Sequence, residues 1–190
     1  MSNETITQSK TEIFTTKSMV LTALFAAILC ILAPISLPIG PVPISLASFV
    51  IYISVYVLGW KRSAVMCAVY LLIGLVGLPV FSGFEGGVGK LAGPTGGYLI
   101  GYIFLAVVCG LFVDLFVADK IQNRVIHFIG MIVGTAVLYV FGTAWFCMST
   151  RMGVVAALSV CVFPFIVGDL VKMLISVSVG PTLRTLVKKI

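Results

Sequence analysis

The sequence predicts an all-α integral membrane protein with six transmembrane helices and both termini in the cytoplasm. Its 190 residues are 61% hydrophobic and only 9% charged, a balance far from that of soluble domains. Apolar runs of near-spanning length recur along the chain, and a helix needs about 20 mostly apolar residues to cross the hydrocarbon. Lysine and arginine collect in alternate connections. We therefore expect a multi-pass protein of the cell membrane.

Six apolar segments are the predicted spans. The second begins at a proline-punctuated entry, PVPIS, and a glycine-rich connection, FSGFEGGVGKLAGPTGG, separates the third from the fourth. A short membrane-surface turn is expected before the last span. The predicted ranges are 19–37, 45–59, 63–81, 97–118, 125–148 and 157–181. They form a single membrane domain, 1–190, in which 1–18 is a polar N-terminal segment and 19–190 is the six-helix bundle.

The distribution of basic residues predicts the orientation. The first eighteen residues are polar and lack the features of a cleaved secretory signal, so we expect an uncleaved, loosely ordered cytoplasmic tail. The outer side then holds only Lys90 and Arg151, and the glycine-rich connection faces outward with GPVPIS and STRMG. These connections form either the roof of an outward-facing site or ordinary connectors. The cytoplasmic side holds Lys10, Lys17, Lys61, Arg62, Lys120, Arg124, Arg184, Lys188 and Lys189.

Several classes of site are absent from the sequence. The five cysteines are scattered singly and there is one histidine, so no metal site is expected. The motifs GxxxxGK[ST], HExxH and GxSxG are missing. The formal charge of +6 is dispersed beside apolar runs and does not form a nucleic-acid patch. We expect no cofactor, no nucleic-acid partner and no enzymatic activity.

Two ionisable residues interrupt the last apolar segment, FPFIVGDLVKML (163–174). Ionised groups in hydrocarbon cost roughly 2.5–3.5 kcal/mol each, yet Asp169 and Lys172 lie three residues apart and share a helix face. They form either an ion pair that ties the last helix to its neighbours or a site for a polar guest. Pro164 is expected to interrupt the helix, and Gly168 to allow a close approach to its backbone.

The glycine-rich connection supplies further candidate residues. Backbone amides beside Thr95, Gly97 and Tyr98, near the start of the fourth helix, can hold a carbonyl or carboxylate, although glycine also permits tight helix packing. Glu85 and Lys90 are expected to fold over the same cavity. Asp114 is expected at the cytoplasmic end of the fourth span as an interface residue.

Three stretches together resemble the BioY family, the biotin-specific substrate-binding subunits, or S components, of energy-coupling factor (ECF) transporters. They are GPVPISLASF (40–49), GLPVFSGFEGGVGKLAGPTGGYLIGY (77–102) and FPFIVGDLVKML (163–174). The resemblance covers almost the whole chain. It implies a six-helix subunit that captures biotin from outside. It also implies a separate transmembrane coupling protein and two cytoplasmic ATPase subunits, in keeping with the missing nucleotide motif.

Biotin offers a ureido ring with two N–H donors and a carbonyl, a thioether ring, and an aliphatic tail that ends in a carboxylate. For this guest, Asp169 is suited to accept from ureido N–H groups and Lys172 to donate to a carbonyl or carboxylate. Ser82 and Phe84 stand where the family has small residues, Ala and Gly. The expected apolar walls are Phe81, Phe163, Tyr98 and Val80.

The first helix contains TALFAAIL, in which Ala23 and Ala27 form a small-xxx-small face. In S components a similar alanine motif docks on the coupling subunit, which the resemblance implies for these two residues. From the spacing alone, a contact inside the subunit fits equally well.

Two other functions fit parts of the sequence. A self-sufficient secondary carrier for a small organic anion or another vitamin would use Asp169 and Lys172 in proton coupling. An intramembrane enzyme would use Asp169 as its catalyst, but no accompanying nucleophile and base are recognisable.

Overall fold

The computed structural model describes residues 15–37, 42–116 and 121–189, which are almost entirely α-helical. The helices are α1 (Thr16–Leu32), α2 (Ala47–Leu75), α3 (Val88–Ala92), α4 (Gly96–Leu115), α5 (Ile121–Thr150), α6 (Val154–Cys161) and α7 (Phe163–Lys189). Between α1 and α2, the two-residue strands β1 (Ser36–Leu37) and β2 (Ile44–Ser45) pair antiparallel. The predicted all-α class is confirmed. Most of the predicted N-terminal segment, residues 1–14, lies outside the described residues.

Several helices are suited to cross a membrane. Among the described residues, four helical ranges are long and apolar enough by length and composition, and α1 is a shorter apolar helix. The four are Ala47–Leu75, Gly96–Leu115, Asn123–Thr150 and Phe163–Val187. The expectation of a multi-pass helical protein is therefore confirmed.

Helix α2 consists of two helical segments that meet at Gly59. This glycine has φ 76° and ψ 171°, outside the helical region. Ser54 Oγ donates to Ser63 Oγ at 3.1 Å, although nine residues of continuous helix would separate the two by about 13.5 Å. The chain therefore reverses direction at Gly59, close to the predicted break between 59 and 63. The second segment ends at Leu75 and not at 81, because Gly77, with φ 107°, and Pro79 follow.

The predicted last span is divided in two. Helix α6 ends at Cys161 and α7 begins at Phe163. Pro164 thus lies in the first turn of α7, where its missing N–H would have no helical partner, so it starts the helix and does not bend it. A Cβ at Gly168 would meet no described atom within 4 Å, so no other described element packs closely against this glycine.

Glycines let the central helices approach closely. Helix α4 packs mainly against α5 and α2, and α2 also contacts α1 and α7. A Cβ at Gly101 would lie 2.6 Å from a methyl carbon of Leu138, and one at Gly142 would lie 2.3 Å from the ring of Tyr98. Close backbone packing of this kind drives association where lipid offers no hydrophobic gain. It places α2, α4, α5 and α7 around one shared space.

Candidate binding site

Asp169 and Lys172 form an ion pair on one face of α7. The distance from Lys172 Nζ to Asp169 Oδ1 is 3.0 Å, and the two side chains are only 13% and 10% exposed, lysine first. Their predicted proximity on one helix face is confirmed. Burial of this kind removes much of the hydration of both charges, so further polar partners are needed.

The start of α2 supplies partners for the lysine. Lys172 Nζ donates to the Ser45 carbonyl at 2.7 Å and to Ser48 Oγ at 3.1 Å. Together with Asp169, these acceptors use all three N–H groups of the ammonium. Ser48 in turn donates to Asp169 Oδ1 at 3.2 Å. Lys172 therefore ties α7 to the start of α2, and in this arrangement it keeps no donor for a guest.

The aspartate retains some capacity to accept. Tyr139 of α5 donates to Asp169 Oδ2 at 2.7 Å, while Oδ1 accepts from Lys172 and Ser48. A carboxylate has about four acceptor positions, so one remains, on Oδ2. The ion-pair alternative is therefore formed, and one acceptor position of the pair remains for an N–H donor.

These groups border a cavity, which we call the Asp169 cavity. Its volume is about 50 Å³, far below the roughly 300 Å³ at the lower end of small-molecule sites. The cavity must therefore widen to admit a guest of that size. Its lining is Val42, Pro43, Ile44, Ser45, Ser48, Phe81, Ser82, Lys90, Thr95, Tyr98, Leu99, Tyr102, Leu138, Tyr139, Cys161, Phe165, Asp169 and Lys172.

Three further predicted site residues, Phe81, Thr95 and Tyr98, line this cavity with Asp169 and Lys172. The buried Thr95 Oγ1 has no hydrogen-bond partner among the described residues, so it is available to a guest. The Tyr98 hydroxyl donates to the Cys161 carbonyl at 3.1 Å. Tyr98 therefore joins α4 to α6 through its hydroxyl and offers its ring as a wall.

Two residues of the glycine-rich connection do not line the cavity, contrary to expectation. The Glu85 side chain is 57% exposed and forms a 2.9 Å ion pair with Lys90, which does line it. Gly97 packs against α5, because a Cβ there would lie 2.3 Å from Trp145 Cβ. Glu85 therefore contacts the cavity lining only through Lys90, and Gly97 packs against α5.

Two predicted walls also lie elsewhere. Phe163 is 63% exposed, because a position six residues before Asp169 projects from a different side of α7. Phe165 takes its place in the lining, four residues before Asp169 on the same face. Val80 is half-buried and packs on the apolar core outside the lining.

The model of the BioY family matches residues 4–189. The chain belongs to the BioY family. Biotin transporter BioY of Thermotoga maritima is 35% identical over 171 residues, which cover 90% of this chain and 97% of that protein. Biotin transporter BioY of Rhizobium etli is 38% identical over 172 residues, which cover 87% of this chain and 91% of that protein. The resemblance seen in the sequence is confirmed.

A solved structure has the same fold. It is the crystal structure of the S component for biotin from an ECF-type ABC transporter, with a TM-score of 0.81 and 27% identity over 97% of this chain and 95% of that chain. As a member of a transporter family with several apolar helices, the protein is a multi-pass protein of the cell membrane and not an enzyme.

Of Ser82 and Phe84, the two residues expected to differ from the BioY family, one lies in the wall of the site. Ser82 lines the Asp169 cavity. Phe84 has φ 59° and is 68% exposed. Glycine would adopt this left-handed backbone without the Cβ penalty.

The alanine face of this BioY chain is turned away from the bundle. Ala23 and Ala27 are exposed, whereas Ala26 and Leu29 are buried. The internal contact that spacing alone allowed is therefore not formed by these two residues within the described part of the chain.

Asp114 joins the ends of α4 and α7 to the turn of α2 at the far end of the bundle. Its Oδ1 lies 2.9 Å from Arg184 Nη2, and its Oδ2 accepts from the Trp60 backbone N–H at 3.1 Å. Arg184 also donates to the Val113 carbonyl at 2.8 Å. Fifteen residues of α7, about 22 Å, separate this cluster from Asp169.

Proposed function

We propose that this chain is the substrate-binding membrane subunit that captures biotin from outside the cell for ATP-driven uptake. The observation that carries the proposal is the remaining acceptor position of Asp169, which borders an aromatic cavity in a member of the BioY family. The relatives in Thermotoga maritima and Rhizobium etli are biotin transporters, and the structural neighbour is a biotin S component.

The lining suggests how biotin is oriented. A ureido N–H donates to Asp169 Oδ2, and Thr95 Oγ1 binds a second polar atom of the ring system. Tyr98, Phe81 and Phe165 enclose the thioether ring and the methylenes. Lys172 acts indirectly by holding Asp169, since its three donors are engaged.

The carboxylate of biotin then meets Lys90. This lysine lines the same cavity, and its partner Glu85 is largely exposed, so the ligand carboxylate can share or replace that ion pair. Biotin methyl ester lacks the charge and should bind more weakly than biotin. Lys90→Gln should remove most of that difference in affinity between acid and ester. If the variant loses the same affinity for both ligands, the carboxylate binds elsewhere.

The topology we propose has six spans with both termini in the cytoplasm. The reversal at Gly59 supports it, because α2 then contributes two spans to those of α1, α4, α5 and α7. The cations Lys17, Lys61 and Arg184 gather around one cavity at the far end, as the positive-inside rule requires of a cytoplasmic face. All of 1–190 forms one membrane domain.

The partners are a transmembrane coupling protein and two cytoplasmic ATPase subunits. The exposed alanines of α1 support docking through Ala23 and Ala27, because small side chains let another helix come close. Such a subunit needs no nucleotide site of its own.

Mass spectrometry of the small molecule retained through gentle purification tests the proposal. The expected result is biotin in the wild type and much less in Asp169→Asn. A different retained molecule, with no biotin binding in calorimetry, would overturn it. Asp169→Gln serves as a second variant, since it also removes the charge while keeping an oxygen acceptor.

A further inference from the structure

A second cavity lies at the end of the bundle opposite Asp169. It has a volume of about 700 Å³ and lies where α1 begins, α2 reverses and α4 and α7 end. We call it the Lys17 cavity. Its charged lining is Lys17, Lys61, Arg62, Arg184 and Asp114. Four cations against one carboxylate leave this lining with a formal charge of +3.

The one carboxylate of this lining is already engaged. Asp114 pairs with Arg184 and accepts from the Trp60 backbone. Lys17 Nζ is 3.3 Å from a neutral acceptor, the Val187 carbonyl, and Lys61 Nζ lies 5.4 Å from the centre of the Trp60 ring. Within the described part of the chain, neither ammonium forms an ion pair. The cavity therefore has an unbalanced positive charge that favours an anion.

Part of the remaining lining is apolar, beside the polar residues Thr15 and Ser18. Leu21, Val57, Leu58 and Val187 border the same space as the cations. A small soluble anion would gain nothing from these side chains, whereas a lipid has a charged headgroup next to acyl carbons. Trp60 also lines the cavity, and tryptophan is enriched at the level of the headgroups. The mixture of cationic and apolar walls thus favours a phospholipid.

We propose that the Lys17 cavity binds the phosphate headgroup of an anionic phospholipid from the cytoplasmic leaflet. Basic pockets between transmembrane helices on that side bind such headgroups in other proteins. Tyr56 also lines the cavity, and its buried hydroxyl has no hydrogen-bond partner among the described residues. The assignment to the cytoplasmic leaflet depends on the orientation proposed above.

Bound there, the lipid joins the start of α1 to the turn of α2 and the end of α7, so it should stabilise the folded chain. The test is the thermal unfolding midpoint of the full chain in detergent, with short-chain phosphatidylglycerol, short-chain phosphatidylcholine or inorganic phosphate added. Phosphatidylglycerol should raise the midpoint most, and added salt should reduce the rise because the attraction is screened. An equal rise with phosphatidylcholine, or with inorganic phosphate, would overturn the proposal.

Paired variants make the assignment specific. The double variant Lys17→Gln, Lys61→Gln should lose more than half of the rise in thermal midpoint that phosphatidylglycerol causes. The control, Arg124→Gln with Arg151→Gln, removes the same charge from residues outside the lining and should keep the shift. A retained shift in the first variant would overturn the proposal. If that variant does not fold, Lys61→Gln alone is measured in the same way.

Biotin calorimetry on the same samples separates this proposal from the transport function. The lipid shift should persist without biotin. A chain that binds biotin normally but shows no preference for phosphatidylglycerol contradicts the lipid site alone, and the opposite result contradicts the biotin site alone.

Discussion

Tyr139 of α5 donates a 2.7 Å hydrogen bond to Oδ2 of Asp169 in α7. This is the oxygen that keeps the remaining acceptor position, because Oδ1 is engaged by Lys172 and Ser48. Under the proposed function, the phenol would fix the direction in which the carboxylate receives a ureido N–H. Tyr139 is a positioning residue that also joins two helices.

The first prediction concerns Tyr139→Phe. The ring remains but the donor is lost, so we expect weaker biotin binding in calorimetry and a lower thermal midpoint, since hydrogen bonds to charged groups contribute about 1.5–3 kcal/mol. Tyr70→Phe is the control, because the Tyr70 hydroxyl is buried without a partner among the described residues. A lower midpoint with unchanged affinity would assign Tyr139 a purely structural role.

Biotin should protect the connection at 82–96 from trypsin. The Asp169 cavity of about 50 Å³ has to widen for biotin to enter, and its roof includes Ser82 and Lys90. A bound ligand that contacts Lys90 should hold this connection in place and slow cleavage after that residue. Cleavage after Arg151, in the connection between α5 and α6, is the internal control. Equal slowing at both sites, or at neither, would argue against a ligand-ordered roof.

Gly59→Ala should lower the thermal midpoint markedly. Its φ of 76° and ψ of 171° are costly for alanine, by about 1–3 kcal/mol, and the new Cβ would lie 2.8 Å from Asp114 Oδ2. Gly168→Ala is the matched control, since its Cβ meets open space within a helix and should leave the midpoint unchanged or raised. Similar midpoints for both variants would mean that the reversal of α2 tolerates a side chain.

Ala23→Trp combined with Ala27→Trp should abolish ATP-driven uptake while leaving biotin binding intact. Both residues are exposed, so indole rings would keep a partner helix at a distance without disturbing the Asp169 cavity. Uptake is measured in vesicles that contain the whole complex. Ala156→Trp, at an exposed alanine of α6, is the control. Normal uptake by the double variant would place docking on another face.

Much of the site could be predicted from local spacing. The separation of Asp169 and Lys172 by three residues places them on one helix face, and they do form a pair. The same rule could have found Phe165, four residues before Asp169, and Tyr102, four residues after Tyr98. Phe163 was expected instead because its aromatic character was weighed without its angular position on the helix.

Contacts between distant segments could not be predicted in this way. Ser48 and Tyr139 lie 121 and 30 residues from Asp169, and no spacing rule connects them to it. Their only signal is a hydroxyl within an apolar span. The role of Gly97 likewise depends on Trp145, a residue of another helix. Local turn chemistry limits how accurately helix boundaries can be predicted, since a proline such as Pro164 can either start or interrupt a helix.

Isothermal titration calorimetry of Asp169→Asn beside Asp114→Asn is the direct test of whether the Asp169 carboxylate accepts a hydrogen bond from biotin. Both changes remove one carboxylate charge from an ion pair, at opposite ends of the bundle. We predict that Asp169→Asn weakens biotin binding by about 2–5 kcal/mol, while Asp114→Asn lowers the thermal midpoint and leaves affinity unchanged. Wild-type affinity in folded Asp169→Asn would mean that biotin binding does not depend on the Asp169 carboxylate.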